Sequence, residues 1–70
     1  MPLIRISHAS QYQPEQKEAI MQAVTQAYAQ ASGCEPGKVW VLLEEVPAQD
    51  WATGGTSIAA RRKAAAETGN

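Results

Sequence analysis

The 70-residue chain has one cysteine, one histidine and no phenylalanine. A single cysteine excludes an internal disulfide. One cysteine and one histidine also fall short of the ligand set of a closed structural zinc site. No stretch approaches the roughly 18 consecutive apolar residues of a membrane-spanning helix. The first residues lack the basic region and apolar run of a signal peptide, so a cytoplasmic location is expected. Charge of one sign is missing too: six Lys and Arg face seven Asp and Glu, for a net charge of −1. That balance gives no general attraction for nucleic acid, and the longest basic run, Arg61-Arg62-Lys63, is too short to be an electrostatic footprint. Neither nucleic acid nor membrane is expected as a partner.

Large apolar side chains are scarce as well. Of the 31 apolar residues, 13 are alanine, which leaves 18 larger ones. Ordering the chain costs roughly 1.5 kcal/mol per residue. Eighteen larger side chains barely offset that cost even when nearly all are covered. Chains of this length are usually completed by disulfides, a metal or a partner subunit. Association with further copies is the route left open.

What is present reads as one β-α-β unit. Leu3 to His8 is a short β-rich stretch, with Ile4 and Ile6 on one face and Arg5 and Ser7 on the other. Ala9 to Gln13 is a polar loop carrying Tyr12. Pro14 suits the first position of a helix, where its missing N–H has no partner. Glu15 and Glu18 favour the positive end of the helix dipole. Glu15 to Ser32 contains no Gly or Pro, and Ile20, Ala23, Val24, Ala27, Tyr28 and Ala31 recur at helical spacing, which makes Tyr28 a core residue on this reading. Gln22, Thr25, Gln26 and Gln30 mark the opposite face, and Gly33 is placed to cap the C-terminus.

Cys34 to Lys38 is a turn. The nearly continuous apolar run from Val39 to Val46 predicts a strand covered on both faces. Two strands joined by a long helix pair in parallel through a right-handed crossover. One helix covers only one face of such a sheet, so the other face requires another chain. Pro47 ends the second strand, Gln49-Asp50-Trp51 is a loop, and Gly54-Gly55 is a tight turn between short β segments. Ile58 to Ala66 has the composition for a helical turn or two, and residues 67–70 are expected to fray. The fold class is thus α/β (α+β), a single domain over residues 1–70 with a C-terminal hairpin.

Common catalytic constellations are missing. There is no recognisable Ser/His/Asp order, no phosphate-cradling loop and no metal-ligand cluster, so neither metal nor cofactor is expected. His8, at a strand end, is expected to be structural or solvated. Cys34, with Glu35 beside it, is expected to be unreactive. Of Glu44 and Glu45, one is expected to face solvent and the other to pair with a cation.

Pro2 is different. Methionine aminopeptidases remove Met1 before a small side chain, proline included, and removal exposes a secondary amine at the start of the first strand. Terminal amines have a reference pKa near 8. Burial among apolar groups disfavours the cation and lowers that value. A neutral amine near pH 7 accepts protons or attacks carbonyls. A retained Met1 leaves an amide nitrogen there instead, with no basic lone pair.

Met1-Pro2-Leu3-Ile4, the Pro14-Glu15-Gln16-Lys17 helix entry, the Val39–Glu45 strand and the Asp50-Trp51-Ala52-Thr53-Gly54-Gly55 segment follow in this order. From residue 2 to about 63 the chain resembles the 4-oxalocrotonate tautomerase family of small N-terminal-proline enzymes. The resemblance implies a β-α-β subunit that pairs into a four-stranded dimer sheet. It further implies a homohexamer built as a trimer of dimers, with pockets at the subunit interfaces. It also implies a cofactor-independent keto–enol isomerisation of a small enol or 2-oxo acid. Pro2 is then the catalytic base, and Trp51 the aromatic wall that keeps its amine dry.

Two positions depart from the family pattern. The two arginines that hold a dicarboxylate substrate in characterised members fall at Tyr12 and Trp40 here. Neither a phenol nor an indole reproduces a bidentate guanidinium. A less charged or aromatic enol of the phenylpyruvate kind suits a Tyr/Trp-lined pocket better than 2-hydroxymuconate. Tyr12 retains a hydroxyl that can donate to an oxyanion. Candidate replacement cations are Lys38 and Arg5, then Arg61 and Arg62. The expected site is thus Pro2 as the catalytic residue, with Trp51, Tyr12, Trp40 and Lys38 binding substrate. Two alternatives stay open: a non-catalytic self-assembling member, and a proline-dependent dehalogenase or decarboxylase of the same superfamily.

Overall fold

A computed structural model describes residues 2–68. Strand β1 (Leu3–His8) leads through a loop to helix α1 (Pro14–Ser32), a single 3₁₀ turn (Pro36–Lys38) and strand β2 (Trp40–Glu45). A second 3₁₀ turn (Ala48–Asp50) precedes the hairpin strands β3 (Ala52–Thr53) and β4 (Thr56–Ser57), and helix α2 (Ile58–Thr68) follows. β1 and β2 pair in parallel from Leu3 opposite Trp40 to His8 opposite Glu45. The β-α-β arrangement and the C-terminal hairpin read from the sequence are present.

Local chemistry sets the boundaries of α1. Pro14 occupies its first turn, and the backbone N–H of Gln13 donates to Gln16 Oε1 at 2.8 Å. At the other end Gly33 takes φ 80° and donates its N–H to the Ala29 carbonyl at 2.8 Å. This left-handed cap is open to glycine at little steric cost. The face that α1 covers differs from the expected stripe. Ala29 is the one buried residue among those described, while Ile20, Met21, Val24 and Thr25 are half-buried and Tyr28 is exposed. With Ala and Gln filling most of the helix, its apolar periodicity is shallow. The sheet turns the helix toward Met21 and Ala29 instead of Ala23 and Ala31.

α2 is longer than the turn or two expected. Ser57 Oγ accepts the Ala60 N–H at 3.0 Å, as an N-cap does, and Ala, Arg and Lys have high intrinsic helix propensity. Glu67 and Thr68, expected in a frayed tail, lie in α2; Gly69 and Asn70 are outside the described residues. The hairpin turn matches the sequence reading: Gly54 and Gly55 have φ of 61° and 87°, the two positive values of a type I′ turn. Arg61 donates to the Thr53 carbonyl at 3.1 Å, which ties α2 to the hairpin.

A single chain leaves much of itself open. Its radius of gyration is 16.0 Å, against about 11 Å for a compact domain of this length. Its accessible surface is 5325 Å², against roughly 4,200 Å² for a compact monomer of this mass. Along β1, Ile4, Ile6 and His8 are half-buried while Leu3, Arg5 and Ser7 are exposed. The same alternation in β2 half-buries Val41 and Leu43 and exposes Trp40, Leu42 and Glu44. The face turned away from α1 therefore carries Leu3 (52% exposed), Trp40 (56%) and Leu42 (44%).

Candidate active site

The parallel sheet sorts the expected site residues into two groups. Pro2 immediately precedes β1 and is half-buried; its carbonyl accepts the Trp40 backbone N–H at 3.0 Å. Lys38 ends the adjacent 3₁₀ turn and is exposed. Pro2, Lys38 and Trp40 thus share the end of the sheet where both strands begin. Six residues further along β1, about 20 Å at 3.3 Å per residue, lies the other end. There the Val46 N–H donates to the His8 carbonyl at 2.7 Å, Tyr12 follows in the loop, and Trp51 follows β2. Tyr12 and Trp51 are half-buried.

The second group contains a feature that sequence reasoning missed. His8 Nδ1 is 2.8 Å from the Ser10 carbonyl, and the His8 and Tyr12 rings have centroids 4.9 Å apart, tilted at 45°. The carbonyl can only accept, so Nδ1 carries the proton in this contact. In sequence the only sign is the spacing of a histidine, a serine and a tyrosine at alternate positions, which fixes no loop geometry.

Two of the four candidate replacement cations, Arg5 and Arg61, have partners elsewhere. Arg5 Nε lies 3.7 Å from Glu44 Oε1 on the open face of the sheet, and Arg61 holds the hairpin. Glu44 is therefore the paired carboxylate, and Glu45 is exposed, as expected. Cys34 is a free, half-buried thiol whose N–H donates to Ser32 Oγ at 3.2 Å. Two open grooves lie along α1, one lined by Met21, Gln22, Thr25 and Gln26, the other by Gln26, Ala29, Gln30, Cys34 and Pro36. Neither includes a residue of the expected site. Among the described residues, no helix is long and apolar enough to cross a membrane.

The subunit is thus a parallel β-α-β unit with a trailing glycine hairpin, a proline at the strand entrance and an open sheet face. The family model for tautomerase enzymes matches residues 2–61, and the chain belongs to that family. The 2-hydroxymuconate tautomerase of Pseudomonas putida is 33% identical over 57 residues, covering 81% of this chain and 90% of that protein. Among solved structures, TomN, a 4-oxalocrotonate tautomerase homologue of the tomaymycin biosynthetic pathway, superposes with a TM-score of 0.85 at 35% identity, covering 89% of this chain and 95% of TomN. A heterohexameric 4-oxalocrotonate tautomerase from Chloroflexus aurantiacus J-10-fl superposes with a TM-score of 0.79 at 34% identity, covering 84% and 95% of the two chains. The expected tautomerase fold is the one observed.

Proposed function

We propose that this chain is a keto–enol tautomerase of small enol or 2-oxo acids in which Pro2, freed by removal of Met1, is the general base and acid. The observation that carries the reading is the placement of Pro2. It is half-buried at the mouth of the sheet, it is tied to Trp40, and the family match begins at it. Met1 itself lies outside the described residues. The neutral imino nitrogen takes the enol hydroxyl proton as the electron pair moves to form the C=O. It then returns that proton to the carbon, so the reaction is an isomerisation that needs no cofactor. Desolvation lowers the amine pKa and keeps a useful fraction neutral near pH 7.

The site is completed by further copies of the chain. Tyr12 packs on His8, which lies about 20 Å along β1 from Pro2 of the same chain at 3.3 Å per residue, and Trp51 follows β2 beyond that end of the sheet. A homohexamer, a trimer of dimers, that joins open sheet faces and sheet ends brings these groups onto the Pro2 of a neighbour. The heterohexamer of the Chloroflexus aurantiacus relative supports six-subunit assembly. In such a pocket Trp51 excludes water from the amine, Trp40 offers an apolar wall, Lys38 supplies charge and Tyr12 donates to a substrate oxygen. With no arginine at positions 12 and 40, the preferred substrate is an aromatic or singly charged enol, and the chain acts as a cytoplasmic enzyme.

Ketonisation of phenylenolpyruvate by the purified protein tests the reading. Pro2→Ala should lower kcat by about 100-fold or more, the usual worth of a positioned acid/base. The intact mass should lack Met1. Wild-type rates in Pro2→Ala, or a retained Met1 in an active protein, overturn it. A non-catalytic assembly is the second reading. The loss of both arginine positions favours it, and an inactive but hexameric wild type would establish it.

A further inference from the structure

Within the pocket proposed above, and resting on that reading, we infer that His8 is a positioning residue. It orients the Tyr12 ring so that its hydroxyl serves as the anion-binding group in place of a guanidinium. Three observations converge on the pair. First, the loop that carries Tyr12 is anchored at both ends. The His8 carbonyl accepts the Val46 N–H at 2.7 Å, and the Gln13 N–H donates to Gln16 Oε1 at 2.8 Å as α1 begins. Second, the His8 ring is held within that loop by the 2.8 Å contact of Nδ1 with the Ser10 carbonyl. Third, the Tyr12 ring rests on the His8 ring at 4.9 Å and 45°, within the separation range at which tilted ring pairs attract.

The pair is also not consumed by other partners. Glu45, opposite His8 in register, is exposed, and the ion pair on this sheet joins Arg5 to Glu44. Among the described residues nothing hydrogen-bonds the Tyr12 hydroxyl. A phenol held by a fixed neighbour loses less rotamer freedom on binding than a free one, so its hydrogen bond to a carboxylate or enolate oxygen is worth more. A single phenol reads one oxygen, whereas a guanidinium fork reads two. The inferred ligand class is therefore the monocarboxylate enol or 2-oxo acid with an apolar or aromatic remainder.

A double-mutant cycle on binding separates this role from general stability. The probe is phenyllactate, a non-reacting monocarboxylate, titrated calorimetrically into the assembled protein. Tyr12→Phe should weaken binding about tenfold, the loss of one hydrogen bond to a charged group. His8→Ala should weaken it roughly fivefold with Tyr12 present and by less than about twofold in the Tyr12→Phe background, since coupled residues are non-additive. His8→Phe, which keeps a ring but loses the Ser10 contact, should fall between wild type and His8→Ala, and it replaces His8→Ala in the cycle if that variant does not fold. In phenylenolpyruvate ketonisation the His8 change should raise KM more than it lowers kcat. Equal weakening in both backgrounds, no weakening, or no phenyllactate binding by wild type overturns the inference. Failure of the proline mechanism shows separately, as Pro2→Ala retaining ketonisation with the binding cycle intact.

Discussion

The backbone N–H of Trp40 donates to the Pro2 carbonyl at 3.0 Å, so the residue proposed as the base and a residue standing at an expected arginine position are fixed to each other by the first rung of the sheet. Trp40 also projects onto the open face, where it is 56% exposed. Substitution of its side chain leaves that rung intact and changes only what the side chain offers to a neighbouring copy.

Charge preference follows. A bidentate guanidinium recognises a carboxylate in a way that neither phenol nor indole can. The double substitution Tyr12→Arg and Trp40→Arg should raise kcat/KM for the dicarboxylate 2-hydroxymuconate relative to phenylenolpyruvate by at least about tenfold, the yield of one additional charge-assisted contact. Steady-state kinetics with both substrates measures the ratio. An unchanged ratio would show that these positions do not face the substrate.

Assembly should be inseparable from folding. Leu3, Trp40 and Leu42 form an apolar surface that a lone chain leaves in water. Leu42→Lys places a second cation directly opposite Arg5 in register on this face, at a cost of several kcal/mol once the face is covered. Sedimentation at micromolar concentration should show wild type as a single hexameric species and Leu42→Lys as dissociated and largely unfolded. A folded wild-type monomer at that concentration contradicts the proposed assembly.

Gly33 caps α1 in the left-handed region at φ 80°, with open space around the position of an added Cβ. The cost of Gly33→Ala is therefore conformational rather than steric crowding, about 1–2 kcal/mol. At fixed protein concentration the midpoint of thermal unfolding should fall by roughly 4–8 °C per kcal/mol. Gly37, in the neighbouring 3₁₀ turn, is not among the positive-φ glycines, so Gly37→Ala should leave the midpoint within a few degrees.

The sequence makes some of these relationships plain and hides others, for identifiable reasons. Pro14 and Gly33 mark α1 because each acts on the backbone of its own turn. The open sheet face is legible because one helix cannot cover two faces. The buried stripe of α1 is not legible, because alanine and glutamine give it little amphipathic contrast and only the sheet decides that Ala29 rather than Ala31 goes inside. α2 is understated because it lacks an apolar stripe; its Ser57 cap and alanine content act through propensity alone. Tyr12 is recognisable by position, but its packing on His8 depends on the course of a five-residue loop. The separation of Pro2 from His8, on which Tyr12 packs, follows from the length of β1. It explains why the proposed site must be read across copies rather than within one.

Trp51 stands at the far end of β2, half-buried and followed by the glycine hairpin. If it dries the Pro2 amine of a neighbouring copy, its removal rehydrates the cation and raises the amine pKa. The base is the neutral amine, so activity rises with pH through that pKa, and the acid limb of the pH–kcat/KM profile should move upward in Trp51→Ala. A shift of about one pH unit corresponds to about 1.4 kcal/mol of restored cation solvation. Activity at pH 7 should fall several-fold, while activity at high pH should approach the wild-type value. Trp51→Phe keeps an apolar wall and should leave the limb near its original position. A uniform loss at every pH, with the limb unmoved, would assign Trp51 to substrate packing instead of amine desolvation.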